Sequence, residues 1–157
     1  MGLICPAETE DMKEILALQK TAYITEAEIY NDFNIPPLLQ TLEEIINEAK
    51  DALVLKTVDR RKIIGSVRGQ ARDGTCYIGK LMVLPDCRNK GIGKDLMKAI
   101  EDAFPDARYE LFTGHLSFSN LALYESLGYK RFKTQKINEA LELVYLEKIR
   151  MNPEIHL

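Results

Sequence analysis

The stretch VLPDCRNKGIGK, residues 83–94, joins an apolar run that predicts a buried strand to a pattern that predicts an amphipathic helix. The start of a helix exposes unpaired N–H groups and the positive end of the helix dipole. Gly91 and Gly93 let the backbone approach an anion closely, and Lys90 and Lys94 add positive charge. The stretch therefore predicts a site for a phosphate or pyrophosphate group.

Two common phosphate-binding motifs do not fit this stretch. A Walker A loop ends in Gly-Lys-Ser/Thr, whereas Asp95 follows Gly93-Lys94 here and Arg88 occupies the position of the first glycine. A Rossmann fingerprint requires a small residue where Leu96 stands, and it normally opens the first βαβ unit of a chain. A nucleotide-phosphate enzyme such as a kinase is therefore poorly supported.

The elements on either side of this stretch alternate between strand and helix patterns. Strands are predicted at 2–6, 52–58, 63–71, 75–84, 109–113, 129–136 and 141–148. Helices are predicted from an N-cap at Thr9 to about Tyr23, from a Thr41/Glu44 capping box to Lys50, from Ile92 to Phe104 and from Leu121 to Leu127. Residues 24–40 are expected to be irregular, and Asp73-Gly74 predicts a hairpin turn. The order predicts an α/β fold with a mixed sheet, in which an antiparallel meander precedes parallel crossovers.

Composition narrows the class of protein. The 157 residues suggest one domain, 1–157, and the net charge of −3 argues against a nucleic-acid binder. We expect no membrane segment and no secretory signal. The widely spaced Cys5, Cys76 and Cys87, with only two histidines, predict neither a disulfide framework nor a metal site, so a cytoplasmic location fits best.

Two motifs together resemble a known family. The pattern Arg88-x-x-Gly91-x-Gly93 resembles the Arg/Gln-x-x-Gly-x-Gly/Ala signature of the GCN5-related N-acetyltransferases (GNAT), and SFSNLALYESLGY, residues 117–129, resembles their later Leu-Tyr-Glu-x-x-Gly-Phe/Tyr helix. The resemblance extends from Gly2 to Lys148. It implies a mixed, mostly antiparallel central sheet that is flanked by helices and splayed at its central strands.

The same resemblance implies acetyl-CoA as cofactor and assigns residues to it. A backbone N–H at Leu81 would polarise the thioester carbonyl, and Tyr124 would protonate the departing thiolate, since a phenol has a pKa near that of a thiol. The expected cofactor contacts are Leu81, Met82, Val83, Arg88, Asn89, Lys90, Gly91, Ile92, Gly93, Lys94, Ser117, Asn120 and Tyr124. Tyr124 as a plain core residue and Asn120 as a helix-capping or surface amide remain alternatives.

The acceptor side is less defined by the sequence. Some family members place a glutamate on the central strand, but Tyr77 occupies that position here. Candidates for a general base are Glu110, His115, Glu26 and Glu28, and the expected substrate-binding residues are Tyr23, Glu26, Tyr30, Glu110 and His115. Acidic and aromatic side chains suit a cationic amine.

The resulting prediction is an N-acetyltransferase that moves an acetyl group from acetyl-CoA directly to a primary amine of a small molecule or peptide. The alternative is a non-catalytic CoA-binding or regulatory module of the same fold. By analogy with the family, a homodimer formed through the closing strands is also expected.

Overall fold

A seven-stranded mixed sheet forms the centre of the protein in a computed structural model, which describes residues 2–150. The strands are β1 (Leu3–Pro6), β2 (Leu53–Asp59), β3 (Lys62–Arg72), β4 (Thr75–Val83), β5 (Arg108–Gly114), β6 (Lys130–Lys136) and β7 (Glu142–Ile149). Their order across the sheet is β1-β2-β3-β4-β5-β7-β6. Only β4 and β5 pair in parallel, and the other described pairs are antiparallel. The predicted fold class is confirmed.

Six helices cover the two faces of the sheet in the described part of the chain. They are α1 (Met12–Ala22), α2 (Ile24–Tyr30), α3 (Pro36–Leu39), α4 (Leu42–Ala49), α5 (Ile92–Ala103) and α6 (Phe118–Ser126). Helices α1 and α4 pack on one face around Ile15, Ile45 and Met82. Helices α5 and α6 pack on the other face around Leu96 and Tyr124.

Two glycines of β3 set the distance between α5 and the sheet. A Cβ atom at Gly69 would lie 2.9 Å from Ile100, and one at Gly65 would lie 3.0 Å from Leu96. Real Cβ atoms are very rarely that close to a neighbour, so larger residues here would push the helix outward. The start of α5 is thereby fixed beside the end of β4.

The segment predicted to be irregular, residues 24–40, contains two short helices instead. Helix α2 ends at Asn31, whose φ of 50° is left-handed, and α3 starts with Pro36 and Pro37. Helices of seven and four residues are too short to give a clear periodic pattern, and helices of this length are stabilised mainly by tertiary packing. The expectation for this segment was wrong.

Two further local expectations need correction, whereas one is confirmed. Thr9 is not the N-cap, because Glu8 caps a 3-10 turn at Thr9–Asp11 and α1 begins at Met12. More than one parallel crossover was expected, but β7 enters the sheet between β5 and β6 and pairs antiparallel with both. The capping box of Thr41 and Glu44 is present as predicted.

None of the helices within residues 2–150 has the length and apolar character needed to cross a membrane. Across the same residues, no group of three His, Cys, Asp or Glu side chains is arranged to hold a metal ion.

Candidate functional site

The edge of β4 beyond Tyr77 lacks a neighbouring strand. Strand β4 pairs with β5 only from Thr75 to Tyr77, and the two strands separate after that point. On its other side, the register with β3 shifts between Ser66 and Arg68. Main-chain groups of the second half of β4 are therefore available to an extended ligand in the opening between β4 and β5, in the way that a sheet edge accepts an added strand.

The register shift is a bulge in β4 at Lys80 and Leu81. Ser66 pairs with Met82 and Arg68 pairs with Gly79, so two residues of β4 stand opposite Val67. Lys80 adopts a φ of 53°, a left-handed conformation that is uncommon for a residue other than glycine. A bulge re-aims the backbone groups of its strand, and Leu81 is the residue for which the sequence predicts a polarising N–H group.

The predicted phosphate site lies at the N-terminus of α5, directly after β4. The first hydrogen bond within this helix runs from Asp95 N–H to the Gly91 carbonyl at 3.0 Å, and no side chain caps the helix start. The N–H groups of Ile92, Gly93 and Lys94 therefore have no partner within the helix. Asn89 and Gly91 both have positive φ, which curves the loop into a concave arrangement of backbone amides suited to an anion.

The space above these amides fits a pyrophosphate group. A Cβ atom at Gly91 would meet no heavy atom within 4 Å, so the cradle is open on that side. A Cβ at Gly93 would come no closer than 3.6 Å, to Leu123 of α6. The amides, the open surface and the exposed Lys90 and Lys94 together satisfy the chemistry of a diphosphate ligand.

Arg88, which the sequence predicts as a cofactor contact, has its side chain bound elsewhere in this structure. Its guanidinium donates to the carbonyl oxygens of Val83 and Ala22, at 3.4 and 3.1 Å, and to Oγ1 of Thr25 at 2.9 Å. The side chain thus braces the cradle loop against the junction of α1 and α2. This role was not predictable from the sequence, since Thr25 lies 63 residues away from Arg88.

Tyr124 of α6 is buried, with 7% of its surface exposed. Its hydroxyl makes no hydrogen bond to another residue within 2–150. Burial raises the pKa of Tyr124, and the nearby Tyr23 and Glu26 raise it further. The phenol therefore keeps its proton at neutral pH.

Glu26 of α2 is held by two residues of the second sequence motif. Its carboxylate accepts hydrogen bonds from Ser117 Oγ at 2.6 Å and from Asn120 Nδ2 at 2.9 Å. The Tyr30 hydroxyl oxygen lies 2.8 Å from Ser117 Oγ, and it accepts a hydrogen bond from the Leu116 N–H at 3.0 Å. A chain of hydrogen bonds from Leu116 through Tyr30 and Ser117 therefore orients the Glu26 carboxylate.

These bonds connect residues that the sequence assigns to different ligands. Ser117 and Asn120 are predicted as cofactor contacts, whereas Tyr23, Glu26 and Tyr30 are predicted on the acceptor side. The hydrogen bonds join the two sets at Glu26, and Tyr23 and Glu26 lie close enough to Tyr124 to raise its pKa. Burial and the charge of Glu26 raise the pKa of Tyr23 to about 12.

Glu110 and His115 have other partners. Glu110 pairs with Arg108 at 2.9 Å, at the point where the β4–β5 ladder ends. His115 Nδ1 accepts the Glu142 backbone N–H at 3.0 Å, and its ring lies 6.0 Å from that of Tyr30. Neither side chain makes a hydrogen bond to Glu26, Tyr23 or Tyr124.

Two residues of the site, Thr113 and Gly114, were not predicted from the sequence. Thr113 Oγ1 accepts a hydrogen bond from Asn120 at 3.3 Å. Gly114, at the end of β5, lies directly under the Tyr30 ring, where a Cβ atom would collide with the phenol oxygen. The only available signal was a Thr-Gly pair at the end of a strand, which is too common to indicate a site.

Comparison with known families identifies this arrangement. The sequence profile of the acetyltransferase (GNAT) domain matches residues 50–131, which include the β4 bulge, the cradle and α6. The chain belongs to the GNAT acetyltransferase family. The resemblance and the acetyltransferase class predicted from the sequence are therefore confirmed, and the family assignment also bears out acetyl-CoA as the cofactor.

Two Bacillus subtilis (strain 168) proteins are similar in sequence to this GNAT chain. The UPF0157 protein YqkA is 31% identical over 132 residues, which is 83% of this chain but only 38% of that protein. The uncharacterized N-acetyltransferase YjcF is 25% identical over 134 residues, 82% of this chain and 93% of that protein. The chain thus spans well under half of the first relative and nearly all of the second.

A solved structure supports the fold independently. The PaiA N-acetyltransferase of Thermoplasma acidophilum, crystallised in complex with coenzyme A, superimposes with a TM-score of 0.77 at 18% identity, over 92% of this chain and 98% of that one. At this level of identity, the similarity concerns the fold alone.

Proposed function

We propose that this GNAT protein transfers the acetyl group of acetyl-CoA directly to a primary amine of a small molecule or peptide. The proposal rests chiefly on one observation. The edge of β4 is unpaired beyond Tyr77, the amide cradle of α5 is open at Gly91, and Tyr124 belongs to the core cluster that includes residues of β4, β5 and α5. Acetyl-CoA supplies an activated thioester, and the residues of this chain would hold it and manage the protons.

Cofactor binding would use two main-chain surfaces. The backbone amides of the 88–94 loop and of the first turn of α5 would hold the pyrophosphate, with Lys90 and Lys94 adding charge. The edge of β4 from Leu81 to Val83, which has no paired strand on the β5 side, would pair through its main chain with the extended pantetheine arm. A Leu81 N–H directed at the carbonyl oxygen would stabilise the negative charge that develops there during attack.

Proton transfer would use Tyr124 and Glu26. Tyr124 would donate its proton to the departing thiolate, and the support for this role is that its hydroxyl makes no hydrogen bond to a residue within 2–150. Glu26 would accept the proton of the attacking amine, directly or through a water molecule. Of the candidate bases, Glu26 is favoured because it lies close enough to Tyr124 to raise its pKa, and because its own partners, Ser117 and Asn120, are neutral donors. Glu110 is instead in an ion pair with Arg108, and Nδ1 of His115 is occupied by the Glu142 N–H.

A panel of acceptors tests the function. The protein is incubated with acetyl-CoA and a range of amines, amino acids and short peptides, and thiol release is followed. We expect turnover with at least one class of amine. Tight CoA binding with no thiol release from any acceptor would support the non-catalytic module instead.

Tyr124→Phe is expected to lower kcat by about 100-fold, the lower end of what a general acid contributes. Because the hydroxyl makes no hydrogen bond to a described residue, both CoA affinity and the free energy of unfolding should stay close to the wild-type values. Steady-state kinetics and calorimetry provide these readouts. Tyr145→Phe, which removes a hydroxyl bonded to Gln135 near the edge of the sheet, is the matched control. Wild-type turnover in Tyr124→Phe would exclude the acid role.

Glu26→Gln is expected to lower kcat by about 100-fold, within the range that a general base contributes. Glutamine keeps the size of the side chain but cannot accept the amine proton. Glu28→Gln is the control, since Glu28 lies on the same helix with an exposed side chain. If kcat is unchanged in Glu26→Gln, the base is another group.

A further inference from the structure

A cavity of about 390 Å³ opens beside the β4 bulge, on the sheet face that carries α3 and α4. Its walls include Pro36, Pro37 and Gln40 at α3, Glu44 and Glu48 of α4, and Lys80 of β4. Lys80 directly precedes Leu81, and consecutive Cα atoms are only about 3.8 Å apart. The cavity therefore begins one residue from the position proposed for the thioester carbonyl.

The acidic side chains in the cavity wall already have partners. The Glu48 carboxylate binds Arg68 Nη1 at 3.0 Å. Glu44 accepts the Thr41 N–H at 2.9 Å within the capping box of α4. Neither carboxylate is within ion-pair distance of Lys80.

The side chain of Lys80, by contrast, is half-buried, and its ammonium group makes no hydrogen bond or ion pair with any residue within 2–150. Burial lowers the pKa of Lys80, and the neighbouring Arg68 lowers it further, against a weaker opposing effect of Glu48. Arg68 is itself buried, and its Nε has no hydrogen-bond partner among the described residues. The Lys80 ammonium therefore has no direct counter-ion among the described residues, and an anionic group of a ligand would supply one.

The backbone at Lys80 fixes where this charge lies. Its φ of 53° follows from the bulge that the register with β3 imposes. Such a conformation costs a non-glycine residue energy and persists only when the surrounding structure determines it. The bulge therefore presents the Lys80 side chain to the cavity on the sheet face of α3 and α4.

We propose that Lys80 binds an anionic group of the acceptor, so that the acceptor carries a carboxylate or phosphate close to its reactive amine. The proposal rests on the acetyltransferase function proposed above and narrows its substrate class to amino-acid-like or amino-phosphate compounds. The prolines of α3 would pack against the apolar part of such an acceptor, and the half-buried setting would strengthen the ion pair with the Lys80 ammonium.

The test compares acceptors that differ only in the anionic group. Glycine, glycinamide, 2-aminoethyl phosphate and ethylenediamine are assayed by thiol release, followed by the standard amino acids against their amides. In the wild-type protein we expect kcat/KM to be about tenfold or more higher for the acceptors with an anionic group than for the matched acceptors without one, as for a charge-assisted hydrogen bond. The glycine and phosphate arms distinguish the two anions.

Lys80→Met should remove this preference by raising KM about tenfold for the anionic acceptor, with little change in kcat or in the KM of the amide. Lys80→Arg should keep the preference, and Lys98→Met on the exposed face of α5 should have no effect. An equal loss for anionic and neutral acceptors in Lys80→Met would overturn the proposal. If Lys80→Met does not fold, the acceptor preference of the wild-type protein is the test. Equal or better turnover of the amide or the diamine would then contradict the proposed role of Lys80.

Failure of this proposal differs from failure of the proposed function. Turnover of amines with no preference for anionic acceptors removes only the role of Lys80. Absence of thiol release from every acceptor removes the enzymatic function, and the acceptor site with it.

Discussion

Gly91→Glu is expected to abolish CoA binding, lowering the affinity by at least about 100-fold. Gly91 has a φ of 82° and nothing within 4 Å of its Cβ position, which is the space that the pyrophosphate would occupy. A glutamate there would fill that space, strain the backbone and place a negative charge against a diphosphate. Isothermal titration calorimetry with CoA measures the loss, and unchanged affinity would exclude the cradle.

The β3–β4 hairpin turn provides a matched control for this substitution. Gly74 also has a φ of 82° and nothing within 4 Å of its Cβ position, so Gly74→Glu introduces the same strain and charge away from the cradle. CoA affinity should be retained in this variant. Gly91→Ala separates the remaining effects, because alanine adds strain without charge and should weaken binding less than glutamate.

Glu101→Ala is expected to lower the free energy of unfolding by about 3 kcal/mol, which is the effect of breaking a buried ion pair from one side. Glu101 of α5 has 6% of its side chain exposed and binds the Lys148 ammonium at 2.9 and 3.1 Å. It also accepts the Tyr129 hydroxyl at 2.8 Å. Removing the carboxylate leaves both partners without their acceptor, which urea denaturation followed by circular dichroism would detect.

Two controls separate the buried pair from ordinary charge loss. Glu139→Ala removes the partner of Lys136 from a side chain that is 95% exposed, and should change stability by less than about 0.5 kcal/mol. Replacing Glu101 and Lys148 together by methionine should cost less than Glu101→Ala, because no unpaired charge remains buried. A Glu101→Ala variant as stable as Glu139→Ala would contradict the prediction.

The Glu101 cluster also bears on the candidate site. Lys148 belongs to β7 and Tyr129 follows α6, so the cluster joins α5, the end of α6 and the sheet. Helix α5 carries the amide cradle and α6 carries Tyr124. We therefore expect Glu101→Ala to weaken CoA binding modestly as well.

Local features of the fold were predictable because they depend on neighbouring residues. Gly91 and the apolar repeat after it specify a helix start, and Thr41 with Glu44 specifies another. Asp73-Gly74 specifies a tight turn between antiparallel strands, which the structure contains. The two short helices of residues 24–40 were missed because their stability depends on packing: Ala27 is buried, and Glu26 and Tyr30 bind residues near α6.

The candidate site shows the same division. The sequence by itself determined where α5 starts and which glycines precede it, and it therefore predicted the anion cradle, since the free amides of a helix N-terminus suit an anion. Tertiary structure alone brought Glu26 to Asn120, 94 residues away, and placed Arg88 against α2 and Lys80 in a cavity. Backbone preferences act over a few residues, whereas these contacts depend on strand order, a one-residue register shift and the packing of two short helices.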